Sequence, residues 1–176
     1  MPYPTAFLVY LFLLRRHNSQ KAVPAPRELS LVWPYQYDNP PKAKEIAMLQ
    51  NSEGADVIFH AAGSSGSGLF DAAEEKKFLA IGVDSNQNGA RPGFVLTSMV
   101  KSVDVAVFNV IRDAQLGQLK GGTTVSHGLK TGGVEIALDE YNRSLMTTAM
   151  LSKANSIKEA IISGSIKVPD YYLRKQ

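Results

Sequence analysis

The sequence contains no cysteine. That excludes disulfide bridges, thiolate catalysis and zinc-thiolate sites, and it leaves the compartment open. Histidine is scarce too. His17, His60 and His127 are isolated from one another and show no metal-ligand spacing. Charge of either sign is thin: 19 Lys and Arg against 16 Asp and Glu leave a net +3. The basic residues are spread along the chain, which argues against a nucleic-acid surface. A membrane-length apolar run is also missing. The run TAFLVYLFLL, residues 5–14, is about half of what a bilayer-spanning helix needs. Its charges, Arg15 and Arg16, follow the run, whereas a secretory signal carries them in front. The run is expected to pack on the body as a helix or strand; a weak anchor, a degenerate signal and the product of a truncated gene are the alternatives.

What is present is enough for one domain with a real core: 176 residues, 44% of them hydrophobic. Residues 15–28 are polar and carry two prolines, Pro24 and Pro26, so they read as a linker. A repeating grammar follows. LSLVW (29–33) is a short strand, and PYQYDNPP is turn-like. Asp38 or Asn39 can cap the next helix, KAKEIAMLQ, with Pro40 and Pro41 at its opening. DVIFH is a strand, LFDAAEEKK a helix, FLAIGV a strand ending at Asp84, and GFVLTS another strand. VDVAVFNVIRDAQLG is the clearest helix. Val103, Val107, Val110, Ile111 and Ala114 form one apolar stripe along it, and Gly117 stops it. Strands alternating with helices predict an α/β domain with a mostly parallel sheet flanked by helices. Past Gly121 the strand-like pieces are split by paired glycines, and a last helix spans roughly residues 144–163. The C-terminal third is therefore expected to be irregular.

In an open α/β sheet, ligands sit outside the carboxyl ends of the strands. Three segments are expected there: the loop AAGSSGSG (61–68), Asp84, and WPYQYD (33–38). Gly63 and Gly68 have the separation of P-loop glycines, but Leu69 and Phe70 stand where Lys and Ser/Thr should be. The dinucleotide order Gly-x-Gly-x-x-Gly is not met either. Backbone N–H groups at the helix start could take a phosphate, or the loop could simply turn. The preferred reading is a backbone packed closely against a neutral ligand. Catalytic readings fare worse. GSSGSG lacks the spacing of the Gly-x-Ser-x-Gly elbow, and His60, at the end of a buried strand, is expected to be a hydrogen-bonded core histidine. Asp104 and Asp113 lie on different sides of a helix. No nucleophile, base and orienter assemble, so no enzyme, metal or cofactor is expected.

Several motifs occur together and in order: DNPPKAKEIA, GADVIFHAAGSSGSGLFDAAEEK, AIGVDSNQ, VLTSMVKSVDVAV, LKGGTTV, GLKTGGVEIAL and IISGSIKVP. On these the chain resembles the basic membrane protein (Bmp) family, the nucleoside-binding lipoproteins that serve ABC importers. The likeness runs over about residues 31–169. It implies the two-lobed type I periplasmic-binding-protein fold, with residues 31–169 as the second lobe and its returning segments, 1–30 as an atypical N-terminal segment and linker, and 170–176 as a tail. Most of a first lobe has no counterpart in 1–30, so a partial chain is expected. The lipid-bearing cysteine of the family is absent.

The resemblance also implies the contacts. Trp33 is the expected aromatic surface for the purine, with Tyr35 and Tyr37 as near alternatives. Gly63, Ser64 and Gly66 are expected close to the ligand, where a missing Cβ lets backbone approach. Asp84 resembles the acid that accepts the ribose hydroxyls, and Lys101 the lysine beside the same ribose. The implied partners are a nucleoside, purine most of all, and an ABC permease of the membrane. No nucleic acid is expected, and self-association through an exposed inter-lobe face is left open. The implied location is extracytoplasmic and associated with the cell membrane. The alternative is a ligand sensor or an enzyme on the same fold. A transcriptional regulator would need a helix-turn-helix module, which nothing in 1–30 resembles.

Overall fold

The computed structural model describes residues 37–168. The expected strand at 29–33 and the apolar run at 5–14 lie outside the described residues. The first helix, α1 (Pro40–Ser52), starts where the capping pattern places it: the Asn39 side chain accepts the Lys42 N–H at 3.1 Å, and two prolines fill the first turn. Strand β1 (Val57–Phe59) follows. A 3-10 turn (Gly63–Ser65) then leads directly into α2 (Gly66–Lys76), and β2 (Leu79–Asp84), β3 (Val95–Lys101) and α3 (Val103–Gln115) come next. A short β4 (Val134–Ile136) and α4 (Thr148–Ile162) complete the described residues.

The sheet order is β1-β2-β3-β4. The first three strands are parallel and β4 is antiparallel to β3. Helices cover both faces, as the alternating grammar predicted. On one face Leu69, Phe70, Ala72 and Ala73 of α2 and Ala47 of α1 pack on Ala80 and Val95. On the other, Ala154 and Ile157 of α4 pack on Ile81, Val83, Leu96 and Met99. Strict alternation could not put both Leu96 and Met99 on one face. A register shift at Ala80/Ile81 does so, because it leaves Leu96 as an extra residue on β3.

Two sequence expectations are corrected, and the surroundings of the α3 stripe come into view. The glycine-serine stretch 61–68 is not an open loop, because residues 63–65 form the 3-10 turn and helix α2 already begins at Gly66. Strand β3 runs on to Lys101 rather than ending at Ser98, because pairing with β4 (Met99 with Ile136, Lys101 with Val134) extends the ladder. The stripe on α3 does not face a core. No residue of α3 is buried, and Val103 and Phe108 are each 64% exposed. Amphipathic periodicity reports a helix that needs a partner layer. It cannot report that the described residues do not supply one.

Candidate functional site

The carboxyl ends of β1, β2 and β3 lie side by side, about 5 Å apart strand to strand. Asp84 closes β2 with a left-handed backbone (φ 70°), which is uncommon for a residue with a side chain. The next N–H, of Ser85, donates back to the Val83 carbonyl at 2.8 Å. A three-residue turn of that hydrogen bond and that sign of φ is a strained γ-turn. Asp84 is the last residue of the strand to pair with β3, and its side chain is exposed. It pairs with the Nζ of Lys101, at the end of the neighbouring strand, and both side chains stay partly open to solvent. Strain of this kind persists only where the surroundings enforce it, and it collects at functional positions.

The glycine-serine segment divides into an outer and an inner half. Gly63 (φ 55°) and Ser64 are exposed. The Ser64 hydroxyl lies 2.7 Å from the Tyr37 carbonyl and 3.0 Å from the Asp38 carboxylate. The buried Ser65 hydroxyl accepts the Asn39 N–H at 2.8 Å. These bonds lash residues 37–39 to the turn, so Tyr37, 53% exposed, stands directly against Gly63. Tyr37 is thus the aromatic that the described residues bring to this edge; Trp33 and Tyr35 lie outside them. Gly66, expected to lie near a ligand, is buried instead. A Cβ there would fall 2.6 Å from both ring nitrogens of His60. Its missing side chain makes room for the His60 ring.

His60 departs from its expectation as well. It is buried and meets Phe70 edge-to-face at 5.4 Å between ring centroids, yet neither ring nitrogen has a hydrogen-bond partner among the described residues. Burial holds its pKa below the ordinary imidazole value, and nearby Gln87 and Asp84 offset this only in part. The Oε1 of Gln87 is already engaged at 2.8 Å by the Val83 N–H.

Sequence reasoning missed a polar network beneath Asp84. The backbone N–H of Gln87 donates to the Ser98 hydroxyl (2.9 Å), which donates to the buried Asn88 (2.8 Å). Asn86 and Asn88 both donate to one Asp139 oxygen, at 2.7 and 3.1 Å. Those bonds hold the Asp139 carboxyl below its usual pKa, the Asn86 contact being the largest cause. The buried Asn142 in turn donates to the Leu96 and Ala137 carbonyls at 3.0 Å each. The signal that could have found the network was the amide run Asn86-Gln87-Asn88 directly after a strand. Its partners at 98 and 139 are too distant in sequence to be read. Among the described residues no three His, Asp or Glu side chains gather as a metal site.

The arrangement can accept hydrogen bonds at Asp84, donate them at Lys101 and offer an aromatic face at Tyr37. A family described as ABC transporter substrate-binding protein, PnrA-like (Bmp) matches residues 22–171. A CD4+ T-cell-stimulating antigen of Listeria monocytogenes is 32% identical, over 85% of this chain and 46% of its own length. An ABC transporter nucleoside-binding protein, BmpA, of Lactococcus lactis is 30% identical over the same shares. The chain thus spans about half the length of the curated relatives it matches. A solved ABC transporter solute-binding protein of Aeropyrum pernix superposes with a TM-score of 0.62 at 27% identity, over 77% of this chain and 47% of that one. A transcriptional activator of the comK gene of Bacillus halodurans shares the fold, with a TM-score of 0.66 at 21% identity over 77% of this chain and 46% of that one. The chain belongs to the Bmp family of PnrA-like ABC transporter substrate-binding proteins.

Proposed function

We propose that this chain contributes one wall of a nucleoside-binding cleft in an ABC import system, and that it carries out no catalysis. The observation that carries the reading is the Asp84–Lys101 pair, set on a strained turn at the carboxyl edge of the sheet. A ribose presents two adjacent hydroxyls. A carboxylate can accept both, and an ammonium beside it can donate to their oxygens. Tyr37, held against Gly63 by Ser64, supplies a flat apolar surface for the base. The Lactococcus lactis relative, described as nucleoside-binding, supports this choice of ligand. The partners on this reading are a purine nucleoside and a membrane permease, at an extracytoplasmic, membrane-associated location.

Binding pockets cover about 70–90% of a small ligand's surface. The described residues offer one face, so roughly half of those contacts are made. Each loss of about 1.4 kcal/mol is tenfold in affinity, so this one wall is expected to bind more weakly than a cleft that closes on both faces of the ligand. The test is an NMR titration with inosine, 2′-deoxyinosine and ribose. Saturable shifts at the Asp84 and Lys101 amides are expected, weakened without the 2′-hydroxyl; in Asp84→Ala binding is weaker but measurable and no longer distinguishes inosine from 2′-deoxyinosine. Shifts indifferent to Asp84→Ala would overturn the reading. Release of free base would replace it with an enzyme.

A further inference from the structure

We infer that Gln87 is a positioning residue for this site: its side chain holds the backbone turn that aims Asp84, and its selectivity effect is exerted wholly through Asp84. The inference rests on the reading of Asp84 as the ribose acceptor, and it adds a residue that touches no ligand.

A strand that ends in a γ-turn leaves its last donors without a regular ladder partner, and a buried backbone N–H must find one. Val83 is buried, and its N–H is taken by the Gln87 Oε1 at 2.8 Å. The amide oxygen therefore stands in for a missing strand and lets the chain turn at Asp84. The position of Gln87 is fixed independently of Asp84. Its own N–H is anchored on Ser98 of β3, and the adjacent Asn88 is tied to Ser98 and Asp139. These anchors are rigid, because Ser98 and Asn88 are fully buried and each is hydrogen-bonded.

Steric fit supports the same assignment. Gly82 sits inside β2, where glycine is unfavourable unless something must approach the backbone closely. A Cβ at Gly82 would fall 2.8 Å from the Gln87 Oε1 and 2.6 Å from the Ser98 hydroxyl. The strand gives up a side chain there to admit the Gln87 amide. Gln87 is thus built into the sheet, whereas the exposed Ser85 and Asn86 beside it lie outside it.

The experiment compares Gln87→Leu, which removes the acceptor, and Gln87→Asn, which withdraws it by one methylene in a milder change. Gly82→Ala displaces the amide from the opposite side. Two readouts are taken on the 176-residue chain. The first needs no ligand: backbone chemical shifts of Asp84, which report the left-handed conformation. All three variants are expected to lose that signature while helix α4 keeps its native shifts. The second is the ratio of inosine to 2′-deoxyinosine affinity in wild type, each single variant and the double variant with Asp84→Ala. Gln87→Leu and Gln87→Asn are expected to collapse the ratio at least fivefold, towards that of Asp84→Ala, with no further change in the double variant. A structural role alone would lower the melting temperature and leave the ratio and the Asp84 shifts as they were, and that result overturns the inference. So does a Gln87 effect that adds to that of Asp84→Ala. If Asp84→Ala leaves nucleoside binding untouched while the Asp84 shifts still respond to Gln87, the ligand reading has failed and the backbone coupling stands. If those shifts do not respond, the inference has failed on its own terms.

Discussion

Replacing Gly68 by alanine sets two physical effects against each other. Gly68 lies in the first turn of α2, where alanine is the better helix former by about 0.5–1 kcal/mol. Helix propensity alone therefore predicts a more stable protein. Packing predicts the opposite. A Cβ at Gly68 would strike the Pro40 carbonyl oxygen, with the carbonyl carbon at 2.8 Å and the Lys44 nitrogen at 2.9 Å. All three are backbone atoms of α1, so no rotamer change relieves the contact. The Pro40 carbonyl oxygen is the nearest of the three and sets the retreat, which exceeds the step from 2.8 Å to the 3.4 Å of ordinary contact that the carbonyl carbon alone would need. A gap of about 0.5–1 Å forfeits a quarter to a half of the dispersion well of every atom pair it opens. The contacts at risk hold Ala43 and Ala47 of α1 and the Asn39–Ser65 bond at the helix start. Overpacking of this kind costs about 1–3 kcal/mol. Against backbone the upper end applies, which leaves a net loss of about 2 kcal/mol after the propensity gain. Urea unfolding followed by circular dichroism measures it, and the melting temperature should fall by roughly 4–8 °C. An unchanged or raised melting temperature would show that α1 yields freely, and the account of close helix contact would be wrong.

The buried His60, whose ring nitrogens find no hydrogen-bond partner among the described residues, makes stability depend on acidity. The unfolded chain binds a proton near pH 6.5, and the native site resists it. Stability is therefore whole above about pH 6.5 and falls as the pH drops towards the lowered native value, with a slope of at most about 1.4 kcal/mol per unit. Unfolding of wild type and His60→Leu at pH 5.5 and 7.5 checks this; the leucine variant should show no loss over that interval. The bare face of α3 predicts concentration-dependent association through Val107, Phe108 and Ile111, which are 52, 64 and 53% exposed. Sedimentation equilibrium should show self-association that Phe108→Asp abolishes, with melting temperature nearly unchanged because the side chain is exposed. Association that survives Phe108→Asp would place the contact elsewhere.

The opening of α1 was legible because capping is local: Asn39, Pro40 and Pro41 act within one turn of each other. The alternation of elements was legible because apolar period and turn residues are written in short windows. Asp84 was legible as the last residue of a buried run, and Lys101 through its resemblance to the family pattern. Their pairing follows from two parallel strands ending side by side. The function of the glycines was not legible. Composition at 63–68 suggested room for a ligand, yet Gly66 makes room for His60 and Gly68 for the backbone of α1, neighbours that only folding brings near.

The sequence by itself determined the α/β class, the capped start of α1 and the position of Asp84 at the end of a buried strand, since each depends on interactions spanning a few residues. Only the tertiary structure decided that Asp84 is held in a γ-turn by Gln87, that Asp139 braces Asn86 and Asn88 from more than fifty residues away, and that the stripe on α3 meets solvent. Each of these is set by a partner distant in the chain, or by the lack of one among the described residues. Periodicity records the side a helix needs to bury, and only packing shows what is there to cover it.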